Sequence, residues 1–142
     1  MQVGAGGDEK VQTPFIVDAR GRFTPRQTAL AISRSFLYVG IDSGPAYLAD
    51  SMNVPSIILY GATTHIQAGP LSPLSFPIEP PRRQEYPCGP GVYTCSTHCQ
   101  IGDPCILKLD RDEVIRIVLQ TLQSMINSLK QKAALESSGD KT

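Results

Sequence analysis

Residues 37–61 read LYVGIDSGPAYLADSMNVPSIILYG, and the order of the pieces in this stretch decides the fold class. Leu37-Tyr38-Val39-Gly40-Ile41 is a short run rich in strand formers. Asp42-Ser43-Gly44 breaks it, and Pro45 stands where a helix can begin, because its missing N–H has no intrahelical acceptor there. Residues 46–52 allow roughly two helical turns, and Asn53 ends them. Val54-Pro55 then leads into Ser56-Ile57-Ile58-Leu59-Tyr60, a second apolar strand closed by Gly61. A strand–turn–helix–strand unit this short predicts parallel strands joined by a crossover helix.

The turn inside that unit predicts a ligand. Open α/β sheets bind beyond the carboxyl ends of their strands, and Asp42-Ser43-Gly44 lies at such an end. It also lies at a helix N-terminus, where unpaired amides and the helix dipole favour an anion. Gly44 permits close approach to the backbone, and Ser43 adds a hydroxyl, so a phosphate or diphosphate is the expected guest. The alternative is a helix capped by Asp42 or Ser43 with nothing bound.

The two halves of the stretch, D-S-G-P-x-Y-L-A and N-V-P-S-I-I-L-Y-G, resemble the signature of glycosyltransferase family 9, the lipopolysaccharide heptosyltransferases. The resemblance implies that Asp42, Ser43, Gly44, Pro45, Ala46 and Tyr47 surround the diphosphate of a nucleotide-sugar. Tyr47 departs from the pattern, since the family usually carries His there. A phenol donates a hydrogen bond as an imidazole does, but it brings no positive charge near neutral pH.

The 142 residues suit one domain, and thirteen basic side chains balance thirteen acidic ones. This balance, without a run of like charge, argues against nucleic acid and against an electrostatic membrane anchor. No apolar run approaches the ~20 residues of a membrane span. The N-terminus lacks a basic stretch followed by an apolar core, so a secretory leader is not expected and a cytoplasmic location is.

Along the chain, residues 2–7 (QVGAGG) read as a strand end and a glycine-rich turn, and Gly6-Gly7-Asp8-Glu9 resembles the family's strand end and Glu-containing helix start. Phe15-Ile16-Val17 predicts a short strand ending at Asp18. Thr24, Pro25 and Gln27 form a capping box that opens a helix reaching Arg34 or Ser35, with Ala29, Leu30, Ile32 and Phe36 on its buried side. The resemblance implies that the Asp18 loop lies near a nucleoside, with Asp18 accepting from a ribose hydroxyl and Gly21 in the same turn; a solvated strand-end residue is the plainer reading of Asp18. It likewise puts Thr63, Thr64 and His65 in a loop beside the cleft, their hydroxyls turned to a diphosphate or sugar, although a lone His in a loop is more often a surface residue.

Residues 71–109 are expected to be irregular: first a proline-rich loop carrying Arg82 and Arg83, then all four cysteines, Cys88, Cys95, Cys99 and Cys105, within eighteen residues. Three readings stay open for the thiols. They could bind zinc tetrahedrally, although C-x-x-C pairs are lacking; they could form two disulfides; or they could pack as small apolar side chains. The resemblance favours a structural role and no metal. Asp110, with Glu113 three residues on, caps a last helix. Its apolar positions Val114, Val118, Leu122, Met125 or Ile126, and Leu129, widened by Ile115 and Leu119, predict a core-facing face. Residues 131–142 read as a polar, disordered tail.

The expected fold is therefore α/β, a Rossmann-like parallel sheet with flanking helices over residues 1–130. The resemblance makes it the incomplete C-terminal, donor-binding half of a two-domain (GT-B) transferase. Such enzymes move heptose from a nucleotide-sugar, typically ADP-heptose, to the lipopolysaccharide core, without metal or other cofactor. Their catalytic base is an Asp of the N-terminal domain, and no residue here corresponds to it, so no catalytic residue is assigned. The implied partners are the nucleotide-sugar and, through that other domain, a glycan acceptor; the implied place is the cytoplasm, peripheral at the inner face of the inner membrane. A non-catalytic nucleotide- or sugar-phosphate-binding module is the alternative, and a module organised by its four cysteines a third.

Overall fold

In the computed structural model, residues 1–61, 63–69, 72–80 and 105–139 are described. The expected unit forms. Strand β1 (Tyr38–Ile41) and strand β2 (Ser56–Leu59) pair in parallel, Tyr38 opposite Ser56 and Ile41 opposite Leu59. Helix α2 (Gly44–Ser51) makes the crossover. Asn53 ends it as the sequence suggests: its φ of 53° lies in the left-handed region, which Asn tolerates better than most residues. The Val54 amide then reaches back to the Ala49 carbonyl at 2.9 Å, turning the chain into β2.

Helix α1 (Pro25–Ser33) precedes β1 and carries the expected capping box, the Thr24 hydroxyl accepting from the Gln27 amide while the Gln27 side chain accepts from the Thr24 amide. Helix α1 packs on α2, and α2 on β1 and β2. Two small apolar clusters result: Ile32, Ala49 and Val54, and Ala46, Ile58 and Tyr60, with Tyr38 against both. Buried Ser56 is not left unsatisfied, because its hydroxyl pairs with that of Ser75 at 2.8 Å.

The segment expected to be irregular contains a strand. β3 (Ser75–Ile78) lies parallel to β2, with Ser56 opposite Ser75 and Leu59 opposite Ile78. Among the described residues the sheet is thus three-stranded, in the order β1-β2-β3. Proline density hid β3 in the sequence. Pro77 is tolerated because β3 is an edge strand here, where a missing N–H need not break a ladder. After β2, where a loop was expected, a single turn of helix α3 (His65–Ala68) also forms.

Three further expectations are corrected. Residues 15–17 form a turn, not a strand, with Phe15 92% exposed; only Gln2 and Asp18 make a parallel bridge. Three apolar residues with so little of a partner strand cannot hold an extended ladder. No helix starts at Asp8 or Glu9. Leu30 and Phe36 are exposed, and Ile32 alone of the expected α1 face is buried.

The last helix, α4 (Arg111–Gly139), starts where expected. The Asp110 carboxylate accepts from the Asp112 and Glu113 amides at 2.9 and 3.2 Å. It continues nine residues past Lys130, through much of the expected tail. Its core-facing character is only partial: Val114, Ile117, Val118, Thr121, Leu122 and Met125 form a half-buried stripe, whereas Ile115, Leu119, Ile126 and Leu129 are exposed. The first three of those exposed residues lie beyond the edge of a stripe one helical face wide. Among the described residues, no helix is long and apolar enough to cross a membrane.

Candidate functional site

The carboxyl ends of β1 and β2 bring the central candidates together. The Asp42 amide donates to the Leu59 carbonyl at 3.2 Å, which holds Asp42 at the top of the sheet. Its carboxylate accepts from the Thr63 hydroxyl. The Tyr47 hydroxyl lies 3.3 Å from the other carboxylate oxygen and donates to the Ala68 carbonyl at 2.5 Å. Tyr47 therefore ties α2 to α3. Lost hydration and the Asp42 charge both push its phenol above the usual value, which keeps it a neutral donor.

Ser43 occupies the N-cap position with an extended backbone, but its side chain does not cap; its hydroxyl donates to the Ile41 carbonyl at 3.2 Å. Pro45 has no amide proton, and the Ala46 amide donates back to the Ser43 carbonyl at 2.9 Å. That leaves Ser43 and Gly44 as the residues whose amides precede the helical ladder. A Cβ placed on Gly44 would meet nothing within 4 Å, so the space in front of the turn is open.

Thr63, Thr64 and His65 divide their tasks. Thr63 serves Asp42, and the Thr64 hydroxyl caps α3 by accepting from the Gln67 amide at 3.2 Å. His65 is held by Glu79, whose carboxylate accepts from its backbone amide at 2.8 Å and lies 3.0 Å from ring Nδ1. Glu79 follows β3, and its part was missed because the strand itself was not foreseen. Tyr60, also missed, ends an apolar run that shows nothing of what its hydroxyl does.

Asp18 and Gly21 form a cluster of their own. Both oxygens of the Asp18 carboxylate accept from the Arg20 guanidinium, each at 2.9 Å. Arg20 also donates to the Asp8 carbonyl. The Gly21 amide donates to the Gly4 carbonyl at 2.8 Å, and its φ of +64°, with Gly6 directly opposite, requires glycine. The Arg20 hydrogen bonds hold the Asp18 carboxyl well below the usual carboxylate range. A depressed pKa of this kind favours the fold above the unfolded value, near pH 4, and the contribution fades as pH falls through the lower folded value. In an NMR pH titration Asp18 is expected to be among the last carboxylates to protonate, and Arg20→Gln should return it to the ordinary range; an unchanged midpoint would remove Arg20 as the cause.

Cys105 is buried in a 3-10 turn (Cys105–Lys108). Cys88, Cys95, Cys99, Arg82 and Arg83 lie outside the described residues. Among the described residues no group of three or more His, Cys, Asp or Glu is placed to hold a metal.

The sequence profile of glycosyltransferase family 9 (heptosyltransferase) matches residues 9–96, a span containing the Asp42 turn, all three strands and His65. Lipopolysaccharide heptosyltransferase 3 of Escherichia coli is 40% identical over 55 residues, covering 39% of this chain and 16% of that enzyme. No solved structure matches.

Proposed function

Because the chain belongs to glycosyltransferase family 9, we propose that it supplies the donor side of a sugar transfer, holding the diphosphate of a nucleotide-sugar such as ADP-heptose at the Ser43–Gly44 turn. The observation that carries this reading is the open space before Gly44, at a helix N-terminus just past the end of a parallel strand. Amides held there stabilise charge as it develops on the leaving diphosphate. The Asp42 carboxylate accepts from Thr63 and lies beside the Tyr47 hydroxyl, and on this reading the three side chains hold the turn in shape. No metal is needed for this task.

The acceptor, a lipopolysaccharide core or another glycan, and the base that deprotonates it belong on this reading to a second domain. The place of the reaction would be the cytoplasm, at the inner face of the inner membrane. The chain by itself is expected to bind ADP saturably and to transfer nothing. Calorimetric titration with ADP, followed by an assay for ADP release from ADP-heptose, tests both halves. Absence of ADP binding refutes the donor role, and turnover by the chain alone refutes the need for a second domain.

A second reading is a binding module that never catalyses. The Tyr47 phenol favours it, being committed to the Ala68 carbonyl and carrying no positive charge toward the turn. Adding an acceptor-binding domain from a family member separates the two readings, since the module would bind ADP and still transfer nothing.

A further inference from the structure

Helix α3 is a single turn, and a helix that short does not hold itself in place. Side chains tie it, and Thr63 before it, to the rest of the fold. The Thr63 hydroxyl donates to the Asp42 carboxylate, and the Tyr47 hydroxyl donates to the Ala68 carbonyl. Both of these bonds end on the β1–α2 unit that carries the Ser43–Gly44 turn. Another comes from the far side of β2, where Glu79 follows β3. One oxygen of Glu79, Oε1, accepts from the His65 amide at 2.8 Å and lies 3.0 Å from ring Nδ1. The His65 amide opens α3, so it has no acceptor within the helix. Glu79 supplies that acceptor and holds the ring with the same atom.

We propose that Glu79 is a positioning residue for the diphosphate turn: by holding His65 it fixes α3, keeps Thr63 on the Asp42 carboxylate, and so keeps the Asp42–Gly44 turn in shape. It does not itself meet the diphosphate, since like charges repel. The bonds to Asp42 and from Tyr47 join the loop to the unit it steadies. The bond to Glu79 anchors that loop on the opposite side of the sheet, independently of the turn. Reach is what the role asks of residue 79, and charge is not. Both contacts use one oxygen, and an amide oxygen in the same place would accept equally from both. The assignment rests on the donor reading for the identity of the ligand.

The test uses the full chain, with ADP as the probe, and two variants that separate reach from charge. Glu79→Gln keeps an oxygen at the same distance and loses the charge, so it should bind ADP as the wild type does. Glu79→Asp keeps the charge and withdraws the oxygen by one methylene, so it should bind about fivefold more weakly, the effect of one hydrogen bond. Its urea midpoint should move little, because Glu79 and His65 are both partly exposed. Unchanged affinity in Glu79→Asp, or an equal loss in Glu79→Gln, overturns the proposal. A double variant tests the route. Thr63→Val should weaken ADP binding, and adding Glu79→Asp to it should cost nothing more, since both act on one contact. Losses that multiply overturn the route through Thr63. NMR of the free chain reads the same route without ligand and without Thr63→Val: the Ser43 and Gly44 amide signals should move in Glu79→Asp and stay in place in Glu79→Gln. Signals that do not move in Glu79→Asp overturn the proposal. If the wild type fails to bind ADP, the donor reading falls, and these signals still decide whether Glu79 positions the turn.

Discussion

Gly44→Val is expected to weaken ADP binding at least tenfold while leaving the fold as stable as before. The two halves of this result come from one observation. A side chain at Gly44 would touch nothing within 4 Å, and Gly44 is not among the glycines with a positive φ. Neither sterics nor backbone conformation requires glycine at that point. What the missing side chain leaves is empty volume at the amides of Ser43 and Gly44, and a branched side chain would fill it. A tenfold loss corresponds to about 1.4 kcal/mol, a modest part of what close amide–phosphate contacts contribute. Calorimetry reads the affinity, and urea denaturation reads the stability. Equal ADP affinity in wild type and variant would show that the turn does not cradle the phosphate, and an unfolded variant would show that the space is not open.

The largest expected loss of stability follows Ile57→Ala. Ile57 is at 0% exposure in the middle strand, flanked by Val39 on β1 and Phe76 on β3. Truncation of a buried Ile to Ala costs about 2–5 kcal/mol, part for lost transfer from water and part for the cavity left behind. Domains of this size are stable by only about 5–15 kcal/mol, so the variant should sit near the edge of unfolding. The matched control is Val39→Ala on the same face of the sheet. Val39 is 44% exposed, and truncation there should cost less than about 1 kcal/mol. The measurement is the shift of the urea midpoint at constant slope. Similar shifts for the two variants would mean that β2 is not the centre of the core.

Some of this protein is legible because the information is local. The Thr24 capping box, the proline in the first turn of α2, the left-handed Asn53 and the apolar β2 each involve residues a few positions apart, so each can be read from neighbours in the chain. The β1–α2–β2 unit follows from them, since a short crossover between two apolar strands leaves little choice but a parallel pair. The same locality explains the failures. The apolar residues at 15–17 look like a strand, but strands exist only against partners, and here the partner contributes a single bridge. Pro77 argues against a strand, and the edge of a sheet accepts it.

By itself, then, the amino-acid order determined a parallel α/β unit with a glycine turn at its carboxyl edge, and a likeness to one family of sugar transferases. Only the tertiary structure decided how that turn is supported: by Thr63, twenty-one residues from Asp42, by Tyr47 reaching equally far to Ala68, and by Glu79 holding His65. The same is true of the Tyr60 hydroxyl, buried without a hydrogen-bond partner. These contacts join residues whose spacing carries no periodic signal, and they are brought within reach as β1, β2 and β3 align side by side. Hydrophobic periodicity encodes which face of a strand is buried, but it does not encode which polar groups meet once the strands have paired.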